Sequence, residues 1–335
     1  ETPGARLVAA CRADATRAAE TRAELGVPCE ASLEALLDRP DVDAVCLCTP
    51  SGLHAEQAIT AARAGKHVLV EKPMALEVAD ADAMIAACRE AGVHLGVAFQ
   101  RRTDPDLREL HAAIRAGELG RLVLGTASVP YFRAQSYYDS AAWRGTWSLD
   151  GGGALMNQGI HLVDLLLWLM GGEPQVVGAS GGALDHDIEV EDSVAAALRF
   201  TGGTADGAVG ALVATTAAAP GFPHRVEVYG TRGGAQIEGD GLVRWEGEAP
   251  RIRPRSVHAA DAGSGGSATG LGHLGHRLLL EDFAAALRED REPLVSGEEG
   301  RRSLALVLAV YEAAGLGPGR PADVHSAKKA ALKCP

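Results

Sequence analysis

The chain is 335 residues long, 47% hydrophobic and 23% charged, which is the balance of an ordinary globular protein with room for two domains. A formal net charge of −12 excludes nucleic acid or an anionic membrane surface as its main partner, while leaving room for a local basic pocket that takes a phosphorylated ligand. The longest apolar run, Leu162–Met170, is broken by Asp164 and falls short of the roughly 18 residues a membrane span needs. No signal-peptide pattern opens the chain. Aromatic residues make up only 4%, so the core must rest on alanine, valine and leucine.

The first third alternates strand and helix. Arg6–Cys11 reads as a strand, Ala15–Leu25 as a helix, and Ser32–Leu37 as a short helix capped by Ser32. Asp43–Thr49 contains the run AVCLCT without polar alternation, as expected of a parallel strand covered on both faces. Leu53–Ala64 is a predicted helix stopped by Gly65, His67–Val70 a strand, Ala79–Ala91 a helix stopped by Gly92, and Val93–Phe99 a further strand. This βαβα order predicts a Rossmann-type, doubly wound parallel sheet over residues 1–102.

From residue 103 the pattern changes. Asp106–Ala116 is predicted helical, Leu122–Val129 extended, and Leu155–Met170 a long helix. Val194–Phe200, Ala205–Thr215, Arg225–Tyr229, Ala235–Glu238 and Gly241–Glu246 follow as strands separated by glycine turns. The series predicts an α+β domain over 103–317 with one large, mainly antiparallel sheet. Gly263–Gly275 is expected to be a mobile surface loop, Leu278–Arg288 and Ser296–Ala314 helices, and 318–335 a poorly ordered tail.

The six cysteines are Cys11, Cys29, Cys46, Cys48, Cys88 and Cys334. Cys46 and Cys48 share one face of a strand, but no second pair at zinc-site spacing follows. Buried free thiols in a reducing cytoplasm are expected, with no metal.

A dinucleotide fold carries its ribose-binding residue about 20 positions after a G-x-G-x-x-G loop, at the tip of the second strand. Arg6–Cys11 has the character of that second strand and ends at Arg12, yet no such loop precedes it. The expectation is an N-terminally truncated Rossmann domain that lacks its central first strand. An acidic residue at this tip suits the ribose of NAD, whereas Arg12 can pair with the 2′-phosphate of NADP. The cofactor is therefore NAD or NADP, with Arg12 leaning towards the latter.

Two constellations carry chemistry. Glu71-Lys72-Pro73 ends the strand His67–Val70, and ligands of open α/β sheets bind just beyond the carboxyl ends of strands. Asn157, His161 and Asp164 stand at i, i+4 and i+7 after a glycine triple, on one face of an otherwise apolar helix. Two metal-type ligands without a third do not make a metal site. Oxidising a secondary alcohol needs a base for the hydroxyl proton, and histidine titrates near working pH. An ammonium beside the same oxygen stabilises the developing alkoxide. Asp164 is expected to support the helix or His161. Arg101 or Arg102 and the loop Trp143–Trp147, including Arg144, offer arginine forks and indole faces suited to a polyol or a sugar phosphate.

Several stretches in order resemble the Gfo/Idh/MocA family, the glucose-fructose oxidoreductase and inositol dehydrogenase group. They are Thr49-Pro50-Ser51-Gly52-Leu53-His54, Glu71-Lys72-Pro73, Phe99-Gln100-Arg101-Arg102, Trp143–Trp147, the segment GGGALMNQGIHLVDLLLWLM over 151–170, and Pro293–Arg302. The resemblance implies an NAD(P)-dependent oxidoreductase acting on a secondary alcohol or ketone of a sugar, polyol or sugar derivative. It implies Lys72 as electrostatic partner, His161 as acid/base, and Asn157, Arg102, Trp143, Arg144 and Asp164 towards substrate. Arg12, Thr49, Pro50, His54, Glu71, Lys72 and Gln100 are implied towards cofactor, and the assembly as a homodimer or homotetramer. The inositol type carries aspartate where this chain has Asn157, and an amide cannot take a proton, so the proton load falls on His161 and Lys72 and the substrate stays open. A glycosidase that oxidises and re-reduces one sugar carbon, and a non-catalytic sugar-sensing regulator, are the competing functions.

Overall fold

The computed structural model describes residues 2–247 and 274–320. Most of the stretch Gly263–Gly275, most of the tail 318–335, and Cys334 lie outside these described residues. The chain divides into two compact units, Glu1–Gln100 with Leu274–Arg301, and Arg101–His273 with Arg302–Pro335.

In unit 1 the expected βα alternation is present. The order is β1 (Ala10–Cys11), α1 (Ala15–Leu25), β2 (Cys29–Glu30), α2 (Leu33–Leu37), β3 (Ala44–Leu47), α3 (His54–Arg63), β4 (His67–Val70), α4 (Val78–Ala91) and β5 (Leu95–Val97). Local signals account for the helix ends: Asp14 and Ser32 cap α1 and α2 through Arg17 and Ala35 N–H groups, and Gly26 and Gly92 close α1 and α4 in left-handed conformations. All ladders are parallel, β1 with β2 and β3 with β4 and β5, and no ladder joins the two sheets among the described residues. The strand expected over Arg6–Cys11 is only two residues long, and Leu7 is exposed. The core is small-residue packing: Ala58, Ala61 and Ala62 of α3 are fully buried with Val68, Val70, Met84 and Val97.

The run Asp43–Thr49, expected to be covered on both faces, is covered on one. Val45 and Leu47 are buried, whereas Cys46 and Cys48 are exposed, and α1 buries none of its residues. The expectation of buried thiols therefore holds for Cys29 and Cys88 but not for Cys46 and Cys48.

Unit 1 also takes α8 (Leu274–Glu289) and the start of α9 (Gly297–Ala314), expected in the second domain. The reason is an open sheet edge. Val97 N–H donates to the Val295 carbonyl at 3.0 Å, and Gly96 bridges Ser296, so 295–296 extends the sheet beyond β5. A side chain at Gly96 would meet the Phe283 ring of α8 at 3.0 Å, which is why glycine sits there.

Unit 2 begins with α5 (Pro105–Arg115), capped by Asp104 and led by proline at its first turn. Its sheet contains β6 (Leu122–Pro130), β7 (Glu173–Gly182), β8 (Ser193–Thr201), β9 (Val209–Thr215), β10 (Arg225–Gly230), β11 (Gly234–Glu238) and β12 (Gly241–Glu246). The order is β12-β11-β10-β6-β9-β8-β7, antiparallel throughout except for the parallel pair β6–β9, which makes the sheet mixed. Strand β7, with Pro174 and three glycines, carries too weak a pattern to be seen in the sequence. A short α6 (Gln135–Asp139) precedes the Trp143–Trp147 loop.

Helix α7 (Ile160–Met170) packs against β6 and β10 and is buried at every position except His161 and Trp168. A helix apolar all round is a core helix. Asp164 lies inside that core at 0% exposure and binds the Arg102 guanidinium through two bonds of 2.7 and 2.8 Å, with Ser303 donating at 3.0 Å. Arg102 is 2% exposed, and its guanidinium lies 5.7 Å from the Trp168 ring. Arg102 was expected towards substrate, and Asp164 either there or as a support for its helix. Each instead neutralises the other, because a charge taken from water must be paired. Asp164→Ala leaves the guanidinium buried without its counterion, so urea unfolding should show a loss of about 3–5 kcal/mol, and the Arg102→Met/Asp164→Leu double variant a much smaller one. A loss in the single variant below about 1 kcal/mol would mean that water reaches Arg102.

Candidate active site

In unit 1 the expected cofactor residues stand at the carboxyl ends of parallel strands. Arg12 follows β1 and is exposed, Thr49 and Pro50 follow β3, Glu71 and Lys72 follow β4, and Gln100 lies just beyond β5. Glu71 and Lys72 are half-buried. The Thr49 hydroxyl donates to Gln57 Oε1 at 2.6 Å, and the Glu71 carboxylate accepts the Lys72 N–H at 3.3 Å.

His54 does something other than expected. It is 1% exposed, with Nδ1 at 2.9 Å from the Pro73 carbonyl and Nε2 at 2.9 Å from the Thr49 carbonyl. The ring thus staples the turn after β3 to the Glu71-Lys72-Pro73 turn after β4, and has no nitrogen left for a ligand. Burial pulls the His54 pKa down, and the two carbonyls oppose that pull. The ring thereby holds the backbone of the turn that bears Lys72.

In unit 2 the helix expected over Leu155–Met170 has two parts, a π-helical turn over Ala154–Gly159 and then α7. The wider turn changes the angular relation of Asn157 to His161, so the three-residue stripe drawn at α-helical spacing does not form. His161 opens α7 and is partly accessible, while Asp164 is in the core. Asn157 Nδ2 lies 2.5 Å from Asp150 Oδ1, and Asp150 Oδ2 accepts the Gly145 N–H at 2.9 Å. One aspartate therefore ties the π-turn to the Trp143–Trp147 loop. Within that loop, Trp147 donates its indole N–H to the Glu189 carbonyl at 3.0 Å and packs edge-on to Tyr311 at 5.5 Å. Trp147 is a structural anchor. Arg144 lies over the rings of Tyr137 and Trp143 at 4.2 and 4.8 Å.

The start of the π-turn is built around a residue the sequence does not single out. Glu191, at 0% exposure, accepts the Gly153 and Leu155 N–H groups, each at 2.8 Å, and the Tyr311 hydroxyl at 2.8 Å. The same hydroxyl accepts the Met156 N–H at 3.1 Å. A Cβ at Gly152 would strike that hydroxyl, and one at Gly153 would strike the Glu191 carbonyl, so the glycine triple admits this close approach. On either side of Glu191, Glu189 accepts the Trp147 N–H, and Asp192 accepts the N–H groups of Leu184, Asp185 and His186. A run of three acids in four residues reads as a solvated face. The glycine triple was the one hint that something must sit close to it.

Residues 1–99 match the oxidoreductase family with an NAD-binding Rossmann fold, and residues 107–236 match the GFO/IDH/MocA C-terminal domain. The 1,5-anhydro-D-fructose reductase of Ensifer adhaerens is 32% identical over 317 residues, covering 94% of this chain and 90% of the relative. The chain belongs to the Gfo/Idh/MocA family. The myo-inositol 2-dehydrogenase of Thermotoga maritima is 30% identical to this family member over 82% of the chain and 78% of the relative. The WlbA dehydrogenase of Bordetella pertussis, solved with NADH and UDP-GlcNAcA, superposes with a TM-score of 0.79 at 37% identity, covering 92% of this chain and 88% of that one. This Gfo/Idh/MocA member is an oxidoreductase with a Rossmann-type NAD-binding unit.

Burial pushes the Glu191 carboxyl up to about 7, against the pull of its three donors. Between the ordinary value of 4.5 and about 7 the folded protein holds a proton that the unfolded chain has lost. The stability it contributes is full below that window and is lost as pH rises through it, on the order of 3 kcal/mol. Thermal unfolding from about pH 5 to about pH 8 should show the wild type losing stability relative to Glu191→Gln. A difference constant across the series would exclude titration of Glu191.

Proposed function

We propose that this oxidoreductase moves hydride between a nicotinamide dinucleotide and a secondary alcohol or ketone of a sugar, polyol or sugar derivative, with His161 as acid/base and Lys72 as its electrostatic partner. The observation that carries the reading is the delivery of Lys72 at the carboxyl end of β4, in a turn stapled by His54 to the end of β3. That edge is where open α/β sheets take ligands. The matched relatives named above, a reductase and two dehydrogenases of sugars and polyols, support the substrate class.

Arg12, Thr49, Pro50, Glu71, Lys72 and Gln100 would hold the cofactor. Their donor set suits it: exposed or half-buried hydroxyl, amide and cationic groups at strand ends, beside one carboxylate. When bound, the nicotinamide accepts or supplies the hydride. His161 takes the hydroxyl proton as the carbon–oxygen bond becomes a carbonyl, and returns it in the reverse direction. The Lys72 ammonium stabilises the partial negative charge on that oxygen. Asn157, held by Asp150, orients a substrate hydroxyl and takes no proton. Trp143 and Arg144 contribute a stacking face and a cation.

A regulator that has lost its chemistry would have no need of both Lys72 and His161. The protein works on this reading as a homo-oligomer in the reducing cytoplasm. The free thiols of Cys11, Cys29, Cys46, Cys48 and Cys88 fit that compartment, and the exposed Val209 and Val213 of β9 fit a covered sheet face.

The test is NAD and NADP reduction across a panel of polyols, aldoses and sugar nucleotides. His161→Ala and Lys72→Ala should each lower kcat on the best substrate by roughly 10²–10⁴. Full turnover in either variant would overturn the assignment of that residue.

A further inference from the structure

Near Asn157, unit 2 holds two arginines with no counterion among the described residues. Arg133 is 7% exposed, and its guanidinium lies 5.4 Å from the Tyr131 ring and 5.5 Å from the Tyr137 ring. Arg144 lies over the same Tyr137 ring at 4.2 Å. Arg133 is oriented by the Phe132 carbonyl at 2.8 Å and by Gln158 Oε1 at 3.0 Å. The Gln158 amide in turn donates to the Tyr137 hydroxyl at 3.3 Å and to Asn157 Oδ1 at 3.4 Å. The Nε–H of both arginines is buried without an acceptor, and neither guanidinium pairs with a carboxylate among the described residues.

Two like charges drawn to one ring and partly stripped of water are costly unless an anion joins them. In a chain of net charge −12, with carboxylates abundant, leaving both unneutralised points to a ligand that supplies the charge. Planar guanidinium forks match the paired oxygens of a carboxylate or a phosphate. Packing over tyrosine fixes where the two guanidinium groups lie.

We propose that Arg133, Arg144 and Tyr137 form an anion subsite for the substrate, so that the sugar or sugar derivative acted on carries a carboxylate or phosphate group read by this pair. The proposal rests on the reading that the Asn157–His161 turn faces substrate. It deepens that reading by naming the charge that the substrate brings.

The test measures binding alone, so its outcome is independent of turnover and of Lys72. The full chain is titrated by calorimetry with D-glucuronate, with D-glucose 6-phosphate, and with neutral D-glucose. At least one anionic probe should bind roughly tenfold or more tightly than D-glucose, and the arm that gains names the group. Arg144→Gln should bring that preference down to within about twofold, through loss of affinity for the anionic probe. If Arg144→Gln does not fold, Arg144→Lys keeps the charge without the planar fork and should lower the preference by roughly threefold or more. The proposal fails if neither anion binds better than D-glucose, or if the preference survives loss of the Arg144 guanidinium. Should the Lys72 and His161 variants keep full turnover while the Arg144-dependent preference holds, the catalytic assignment falls and the anion subsite stands.

Discussion

Unit 2 is organised by one buried carboxylate. Glu191 has no access to water, so its carboxyl oxygens must be met by donors, and the donors available are backbone N–H groups at the start of the π-turn and the Tyr311 hydroxyl. Meeting that demand brings the 189–192 segment against residues 151–156. Only glycine tolerates the approach at Gly152 and Gly153, and the turn that follows is wound one residue wider than an α-helix. The positions of Asn157 and of His161 at the head of α7 follow from that geometry. Flanking acids act in the same way, Glu189 on Trp147 and Asp192 on the 184–186 turn, so a short acidic stretch fixes three loops at once.

Burial sorts the polar residues into those that build and those that remain available. His54, Arg102 and Asp164 carry functional groups that chemistry would welcome, yet both His54 nitrogens contact backbone carbonyls, and Arg102 and Asp164 hold each other in the core. Each instead holds part of the fold: His54 contacts the turn that bears Lys72, and Asp164, paired with Arg102, lies on the helix that bears His161. Arg133 and Arg144 are the converse case. They are stacked and oriented, but no carboxylate of the described protein answers them. The polar groups open to a ligand are therefore those whose electrostatic requirements the fold leaves unmet.

Family membership and local geometry bear on different levels of function. The two matched domains and the similarity to reductases and dehydrogenases of sugars and polyols speak to reaction type. Specificity is a property of the site rather than of the fold. A fold shared by enzymes with different sugars constrains where a substrate meets the protein far more than which one it is.

Much of unit 1 was legible from the chain, because its signals are local. Helices α1 and α2 begin at side chains that cap their own first turn, α4 ends at a glycine, and β4 is a β-branched run, all of which act within a few residues. The Glu71-Lys72-Pro73 turn was legible for the same reason, since a strand end and its motif are contiguous. What needed the tertiary structure was everything decided by a distant partner. The pairing of Arg102 with Asp164, the closure of Glu191 by Tyr311, the β6–β9 parallel pair and the return of 295–296 to the edge of β5 each join residues far apart in sequence. Sequence by itself determined which chemical groups are present and the order of the elements. Only the tertiary structure decided which groups are consumed in pairing, because the cost of burying a charge depends on what surrounds it and not on its neighbours along the chain.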